Sequence, residues 1–261
     1  MNNINWEQYA DLSTDQTGVA TLRIINAGSL NILGTPVIKA LRAALQQAGQ
    51  QEGVRVVVIR GDGEKAFIAG ADIKEMANFD AASARNFIDE LRQLCDGVRN
   101  LPFPVIARIP GWCLGGGLEF ALACDLRIGS DQAKLGMPEV KVGIPSIIHA
   151  ALLPRLVGQA RSNWLLLTGE ILDAQESLSS GLLNRVVAAD QLDEEVNRVA
   201  QLLAGFGPVA LAQQKRLLRE WESEPLETSI LNGVDEFAKA FETGEPQRYM
   251  NEFVQSKQKK S

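Results

Sequence analysis

This chain contains a single histidine, His149, in 261 residues. A serine triad or a zinc site would have to be built around that one imidazole, so metal catalysis is not expected. The three cysteines, Cys95, Cys113 and Cys124, have no metal-ligand spacing and cannot all pair with one another. Cys95 and Cys124 fall in apolar helical patterns, the pattern of reduced thiols in a cytoplasmic protein. No apolar run approaches the length of a membrane span. Positive charge is also scarce: a net charge of −6 lacks the basic field of a nucleic-acid surface. The opening Met1-Asn2-Asn3-Ile4-Asn5-Trp6-Glu7 has neither the basic nor the apolar segment of a signal peptide. The remaining composition, 46% hydrophobic and 22% charged, is that of a globular chain long enough for one large domain or a core with an appendage.

Local patterns place the elements. Val19 to Ile25 has the character of a strand, and Thr35-Pro36 that of an N-cap followed by proline at the first helical position. Val37, Ile38, Leu41, Ala44 and Leu45 continue at helical spacing, as do Phe87, Ile88, Leu91, Leu94, Cys95 and Val98 further on. Val54 to Ile59 is a continuous run rich in β-branched residues, the signature of a strand buried on both faces. Ala66 to Ala69, Pro104 to Ile109, Asp125 to Ile128 and Lys134 to Met137 are further strands, without the rhythm of a simple open sheet. From Ile147 helical patterns dominate, interrupted by one strand near Asn184 to Val187. Beyond Gly205-Phe206-Gly207-Pro208 all is helix, with a stripe of Ile230, Val234, Phe237 and Phe241 that suits either subunit packing or packing on the chain's own core. Gln255 to Ser261 has the character of a frayed tail.

Two stretches carry chemistry: Ala69-Gly70-Ala71-Asp72-Ile73-Lys74 and Gly111-Trp112-Cys113-Leu114-Gly115-Gly116-Gly117-Leu118-Glu119. Each is a turn at the end of an apolar strand, with small residues where a helix begins. Small residues let a ligand approach the backbone, and free N–H groups at a helix start favour negative charge. Two such turns converging on one oxygen atom would form an oxyanion hole. The glycines are not a Walker loop, since no Lys-Ser/Thr follows, nor do they match the dinucleotide fingerprint. Arg60-Gly61-Asp62 lies between a buried strand and Gly63-Glu64-Lys65, as a turn does. Glu119 and Glu139 form a candidate acid–base pair. A helix-N-terminal acid and a surface turn residue account for them equally well at this point. His149 fits a packed helical residue better than a catalytic base.

Lys65 to Met76, Gly111 to Asp125 and Met137-Pro138-Glu139-Val140-Lys141-Val142-Gly143 resemble, in order, three signatures of the enoyl-CoA hydratase/isomerase (crotonase) family. Lesser echoes at Leu153 to Gly158, Leu167 to Glu170 and Gly181 to Val187 extend the likeness over nearly the whole chain. The resemblance implies an α/β fold: a spiral of ββα units over residues 1–204 and a helical C-terminal region over 205–261 that builds trimers, often paired into hexamers. It implies an acyl-CoA thioester as substrate, no separate cofactor, a place in fatty acid metabolism, and carbon–oxygen lyase chemistry on a 2-trans-enoyl-CoA. By motif, the oxyanion-hole amides belong to Ala71 and Gly116, and Ala69, Asp72, Ile73 and Lys74 line the coenzyme A site. The glutamates that hold the reacting water match Glu119, as activator of the water, and Glu139, as the residue exchanging the C2 proton.

Two departures from the family pattern are visible. The usual glycine-rich segment after the third motif is replaced by Ile144-Pro145-Ser146-Ile147-Ile148-His149-Ala150, which brings bulkier residues close in sequence to Glu139. Asn26 to Asn31 lacks the usual proline and basic residue. Two rival readings are an isomerase or hydratase-lyase that keeps the oxyanion hole, and a non-catalytic binding protein that keeps only the scaffold.

Overall fold

Successive strands of this chain enter two different sheets by turns. The computed structural model describes residues 5–258. Strands β1 (Ala10–Thr14) and β2 (Val19–Ile24) precede helix α1 (Thr35–Gln50). They are followed by β3 (Val56–Arg60), β4 (Ala66–Ile68), α2 (Ile73–Met76) and α3 (Ala81–Asn100). The motif repeats as β5 (Val105–Ile109), β6 (Trp112–Leu114) and α4 (Gly116–Ala123), then as β7 (Leu126–Ser130) and β8 (Lys134–Gly136). After these come α5 (Leu153–Val157), α6 (Gln159–Thr168), β9 (Ile171–Leu172), α7 (Ala174–Ser179), β10 (Arg185–Val187) and α8 (Leu192–Ala204). Helices α9 (Pro208–Glu220), α10 (Leu226–Glu242) and α11 (Glu245–Gln258) end the described chain.

The first sheet has the order β1-β2-β3-β5-β7-β10, and the second β4-β6-β8-β9. The pairs β3/β4, β5/β6 and β7/β8 therefore give one strand to each sheet, which explains why no open-sheet rhythm is visible in the sequence. β1–β2 and β8–β9 are antiparallel; the other pairings are parallel. The run at Val56 to Ile59 is buried on both faces, as its residue types require. Val57 and Ile59 join the main core with α1 and α3, while Val56 and Val58 face Leu192, Val196 and Ala200 of α8. Helix α3 starts at an Asp80–Ser83 capping box and buries Phe87, Leu91, Leu94, Cys95 and Val98 on one stripe. Each such large side chain contributes about 1.5–3 kcal/mol of transfer free energy. The three cysteines are buried and unpaired; burial raises all three thiols, that of Cys124 up to about 12.

Several local expectations change. Helix α1 begins one residue early: Gly34 is its N-cap, Thr35 is already helical, and the Thr35 N–H donates to Glu75 Oε2 (2.9 Å). The second small-residue motif is not a single turn, because Trp112 to Leu114 form β6 before α4 starts. Gln255 to Gln258 continue α11 instead of fraying, whereas residues 259–261, and residues 1–4 of the opening segment, lie outside the described residues. No described helix is long and apolar enough to cross a membrane. Helix α9 is pinned to the core by Lys215, whose buried ammonium donates to Val98 O (3.0 Å), Phe103 O (3.0 Å) and Asp125 Oδ2 (2.7 Å). All three of its protons are thereby used, which is what a buried ammonium requires. Ile230, Val234 and Phe237 of α10 face outward, each more than 60% exposed, so the stripe does not pack on its own core.

Candidate active site

Parallel pairing brings the three motifs together. Ala66 lies beside Trp112 and Trp112 beside Lys134, so β4, β6 and β8 end side by side. Past those ends come Ala69-Gly70-Ala71, Gly115-Gly116 and Pro138-Glu139 respectively. In parallel sheets the space beyond the carboxyl ends of the strands is where ligands bind. Two adjoining cavities of about 390 and 450 Å³ open there, and Ala71, Gly116 and Glu139 line both. A larger cavity of about 750 Å³ lies elsewhere, where α9 and α10 meet the end of α3, and touches none of the three motifs.

The Ala71 and Gly116 amides are oriented by their own elements. Leu33 N–H donates to Gly70 O (2.9 Å) and Asp72 N–H to Leu33 O (3.0 Å), a parallel bridge that turns the Ala71 amide to the opposite side. Asp72 caps α2 by accepting from the Lys74 and Glu75 amides (2.9 and 3.2 Å). Gly116 is the first residue of α4, so its N–H has no intrahelical acceptor. Among the described residues neither amide donates to another protein group. Two fixed, unspent donors at one cavity wall can stabilise a developing oxyanion without reorganising.

Close approach explains the glycines. Gly115 has φ +53°, and a Cβ there would lie 2.7 Å from Glu139 Oε1. At Gly117 a Cβ would meet the Ile68 carbonyl at 2.3 Å, so only glycine lets α4 pack against β4. At Gly116 the nearest atom is Leu91 Cδ2 at 2.9 Å, the far end of a flexible side chain.

Glu119 is 3% exposed, and its Oε1 accepts the Ala150 N–H at 3.0 Å. Burial pushes its carboxyl up to about 8; the Ala150 amide opposes this and the charge of Glu139 adds to it. Glu139 stands in the one-turn 3-10 helix Pro138–Val142 and is partly buried. Burial raises its carboxyl too, but the Ser146 hydroxyl, donating to Oε2 at 2.8 Å, lowers it. Both carboxylates line the 450 Å³ cavity, and Glu119, pushed up to about 8, holds a proton there near neutral pH. A carboxyl raised by folding is destabilising above its unfolded pKa: stability falls as pH rises from the ordinary value towards about 8. Glu119→Gln removes that penalty. It is expected to raise the thermal midpoint at pH 8–9, by the equivalent of roughly 2–4 kcal/mol, and to change little below pH 4. A calorimetric pH series on both proteins checks this; an equal or lower midpoint of the variant at high pH contradicts it.

Of the residues expected to line the ligand site, Ala69 and Ile73 stand on the wall of the 390 Å³ cavity. Asp72 and Lys74 do not: Asp72 spends its carboxylate on the α2 cap, and Lys74 is exposed beside it. His149 is buried, with Nε2 3.4 Å from Asp96 Oδ1, and lines neither cavity, in keeping with a packed residue. Among the described residues no cluster of three or more His, Cys, Asp or Glu side chains is arranged to hold a metal ion. Sequence reasoning missed the wall that α3 gives the 450 Å³ cavity through Phe87, Ile88 and Leu91, and the two hydrogen bonds from Ser146 and Ala150. The helical stripe of α3 was a usable signal for the first; nothing local announces the second.

Residues 14–260 match the family model described as enoyl-CoA hydratase/isomerase. The chain is 32% identical over 240 residues to a crotonyl-CoA hydratase of Syntrophomonas wolfei, covering 92% of each protein. It is 38% identical over 217 residues to a probable enoyl-CoA hydratase of Rhizobium meliloti, covering 82% of this chain and 83% of that one. Its fold superimposes on the crystal structure of an enoyl-CoA hydratase from Bacillus anthracis with a TM-score of 0.91 and 31% identity, covering 95% of this chain and 97% of that one. The strand ends that gather the three motifs thus sit in a fold and a sequence pattern shared end to end, and the chain belongs to the enoyl-CoA hydratase/isomerase family.

Proposed function

We propose that this protein is an enoyl-CoA hydratase, adding water across the double bond of a 2-trans-enoyl-CoA thioester. The observation that carries the reading is that Ala71, Gly116 and Glu139 line two joined cavities, with Glu119 at the wall of only one. The thioester carbonyl is assigned to the Ala71 and Gly116 amides, which take up negative charge as the acyl group is attacked. C2 then lies by Glu139, next to the amides, and C3 deeper, on the Glu119 side. The cavity of Ala69, Gly70, Ala71 and Ile73 takes the coenzyme A end of the substrate, and no separate cofactor enters the reaction.

The pair works as a unit on one water molecule. The Glu119 proton passes through the water to Glu139. Glu119, now ionised, removes a proton from the water as its oxygen bonds to C3. Glu139 delivers its proton to C2. The cycle ends with Glu119 protonated and Glu139 ionised, as at the start, and both new bonds form on one face. The outward apolar side chains of α10 and α11, including Ile230, Val234, Phe237 and Phe253, support assembly of residues 205–261 into a homotrimer or a hexamer. Cytoplasmic fatty acid metabolism is the setting we assign to it. The test is incubation with crotonyl-CoA and with longer and aromatic enoyl-CoAs, following loss of the conjugated thioester absorbance. Hydration of at least one is expected; turnover of a different thioester with no hydration overturns the reading.

A further inference from the structure

The segment that departs most from the family pattern is also the one that grips both carboxylates. Ser146 Oγ donates to Glu139 Oε2 at 2.8 Å, and four residues later the Ala150 N–H donates to Glu119 Oε1 at 3.0 Å. Between them Ile148 adopts φ +41°. A β-branched residue in the left-handed region is strained and persists only where its surroundings hold it. Here the surroundings are those two hydrogen bonds, a second bond from the Ala150 N–H to Ile147 O (2.9 Å) that closes around Ile148, and the short 3-10 helix Ile148–Leu152. Each end donates to one oxygen of its carboxyl, and only the Ser146 donor is a side chain that a substitution can remove.

Ser146 fixes which oxygen of Glu139 is free. Its hydroxyl occupies Oε2, while Oε1 is the atom nearest to where a Cβ on Gly115 would stand, 2.7 Å against 3.9 Å for Oε2. Oε1 is thus turned towards Gly115. The other charged groups around Glu139 are few. Glu119 faces it from α4, Arg85 of α3 lines the same cavity, and Lys141 belongs to its own turn. Helix α6 meets that turn through Gly169, against Pro138, Val140 and Lys141.

We propose that Ser146 is a positioning residue of this site: its hydroxyl, by donating to Oε2, holds the Glu139 carboxylate with Oε1 presented to the cavity. The catalytic consequence rests on the hydratase reading; the clamp itself does not. Burial raises both carboxyls, Glu119 being the more deeply buried, and the Ser146 hydroxyl is the side-chain contact that opposes this at Glu139. A site with glycine at this position would lack that donor.

The test is carbon NMR of the protein labelled at the glutamate carboxyl carbons, with the Glu139 signal identified by its loss in Glu139→Gln. In Ser146→Ala the titration of Glu139 is expected to move up by about one pH unit, a tenfold change in proton affinity. Ser146→Thr, which keeps the hydroxyl, is expected to leave it in place. In turnover, Ser146→Ala shifts the acid limb of kcat upwards and lowers kcat on that limb, with KM unchanged; Ser146→Thr restores the wild-type profile. An unmoved Glu139 titration in Ser146→Ala overturns the proposal, as does a shift in Ser146→Thr as large as that in Ser146→Ala. If the wild-type protein hydrates no enoyl-CoA, the hydratase reading fails, and the NMR titration still decides the role of Ser146.

Discussion

Glu119→Gln and Glu139→Gln are each expected to lower kcat for enoyl-CoA hydration about a thousandfold, the middle of the range for a positioned acid or base. Thioester binding is expected to survive in both, because the Ala71 and Gly116 amides are untouched and glutamine keeps the shape of the glutamate side chain in the cavity wall. The double variant is expected to be little worse than either single one, since residues that act as a unit do not lose activity additively. The pH dependence follows from the same pair. Above about 8 Glu119 loses its proton in the free protein, the pair carries two negative charges, and no acid is left for C2. On the acid side activity falls as Glu139 takes up a proton and the pair loses its base. A bell-shaped profile of kcat/KM with a basic limb near pH 8 is the expected result. Single-variant losses below tenfold, or a profile flat to pH 10, contradict the assignment.

Gly115→Ala is expected to cost about a hundredfold in kcat, the usual consequence of moving a reacting group by roughly 1 Å. Two effects combine at this position. An alanine at φ +53° is strained, and its Cβ would stand 2.7 Å from Glu139 Oε1, displacing the carboxylate from the cavity and from Ser146. With ψ at −126° Gly115 lies outside the left-handed helical region, so the strain itself is of the order of 1–3 kcal/mol, and measured stability should fall by at least that much. Gly143 provides the control. It sits in the left-handed region at φ +81° with nothing within 4 Å of where a Cβ would stand, so Gly143→Ala should lose about 1–2 kcal/mol of stability and keep near-normal kcat. Equal kcat losses in the two variants would show that backbone strain, not the clash with Glu139, is responsible.

Much of this was legible in the chain because it is local. The run at Val54 to Ile59 identified a strand covered on both faces, and the stripe of Phe87, Leu91, Leu94, Cys95 and Val98 identified α3 and its buried side. The small residues at Ala69 to Ala71 and Gly115 to Gly117 marked where backbone would approach a ligand or another backbone, and both stretches stand at the cavity wall. What escaped depends on partners distant in sequence. β6 is three residues long and β9 two, too short for a period to show, and each exists through pairing with β8. Thr35 looked like an N-cap, yet Glu75, forty residues on, accepts its amide and leaves the cap to Gly34. Residue types alone left Glu139 open between a surface turn residue and one member of an acid–base pair; the parallel ends of β6 and β8 set it against Gly115. The clamp from Ser146 and Ala150 was the least legible, since Ile148 between them stands at φ +41°, which a β-branched residue rarely adopts.

The most direct measurement is a single turnover experiment: hydration of a 2-trans-enoyl-CoA in deuterium oxide, with the product read by proton NMR. One deuterium at C2, on the same face as the new hydroxyl at C3, is the result the paired glutamates and the shared water predict. Deuterium on both faces of C2, a double bond moved out of conjugation with no hydroxyl at C3, or no reaction at all would contradict it.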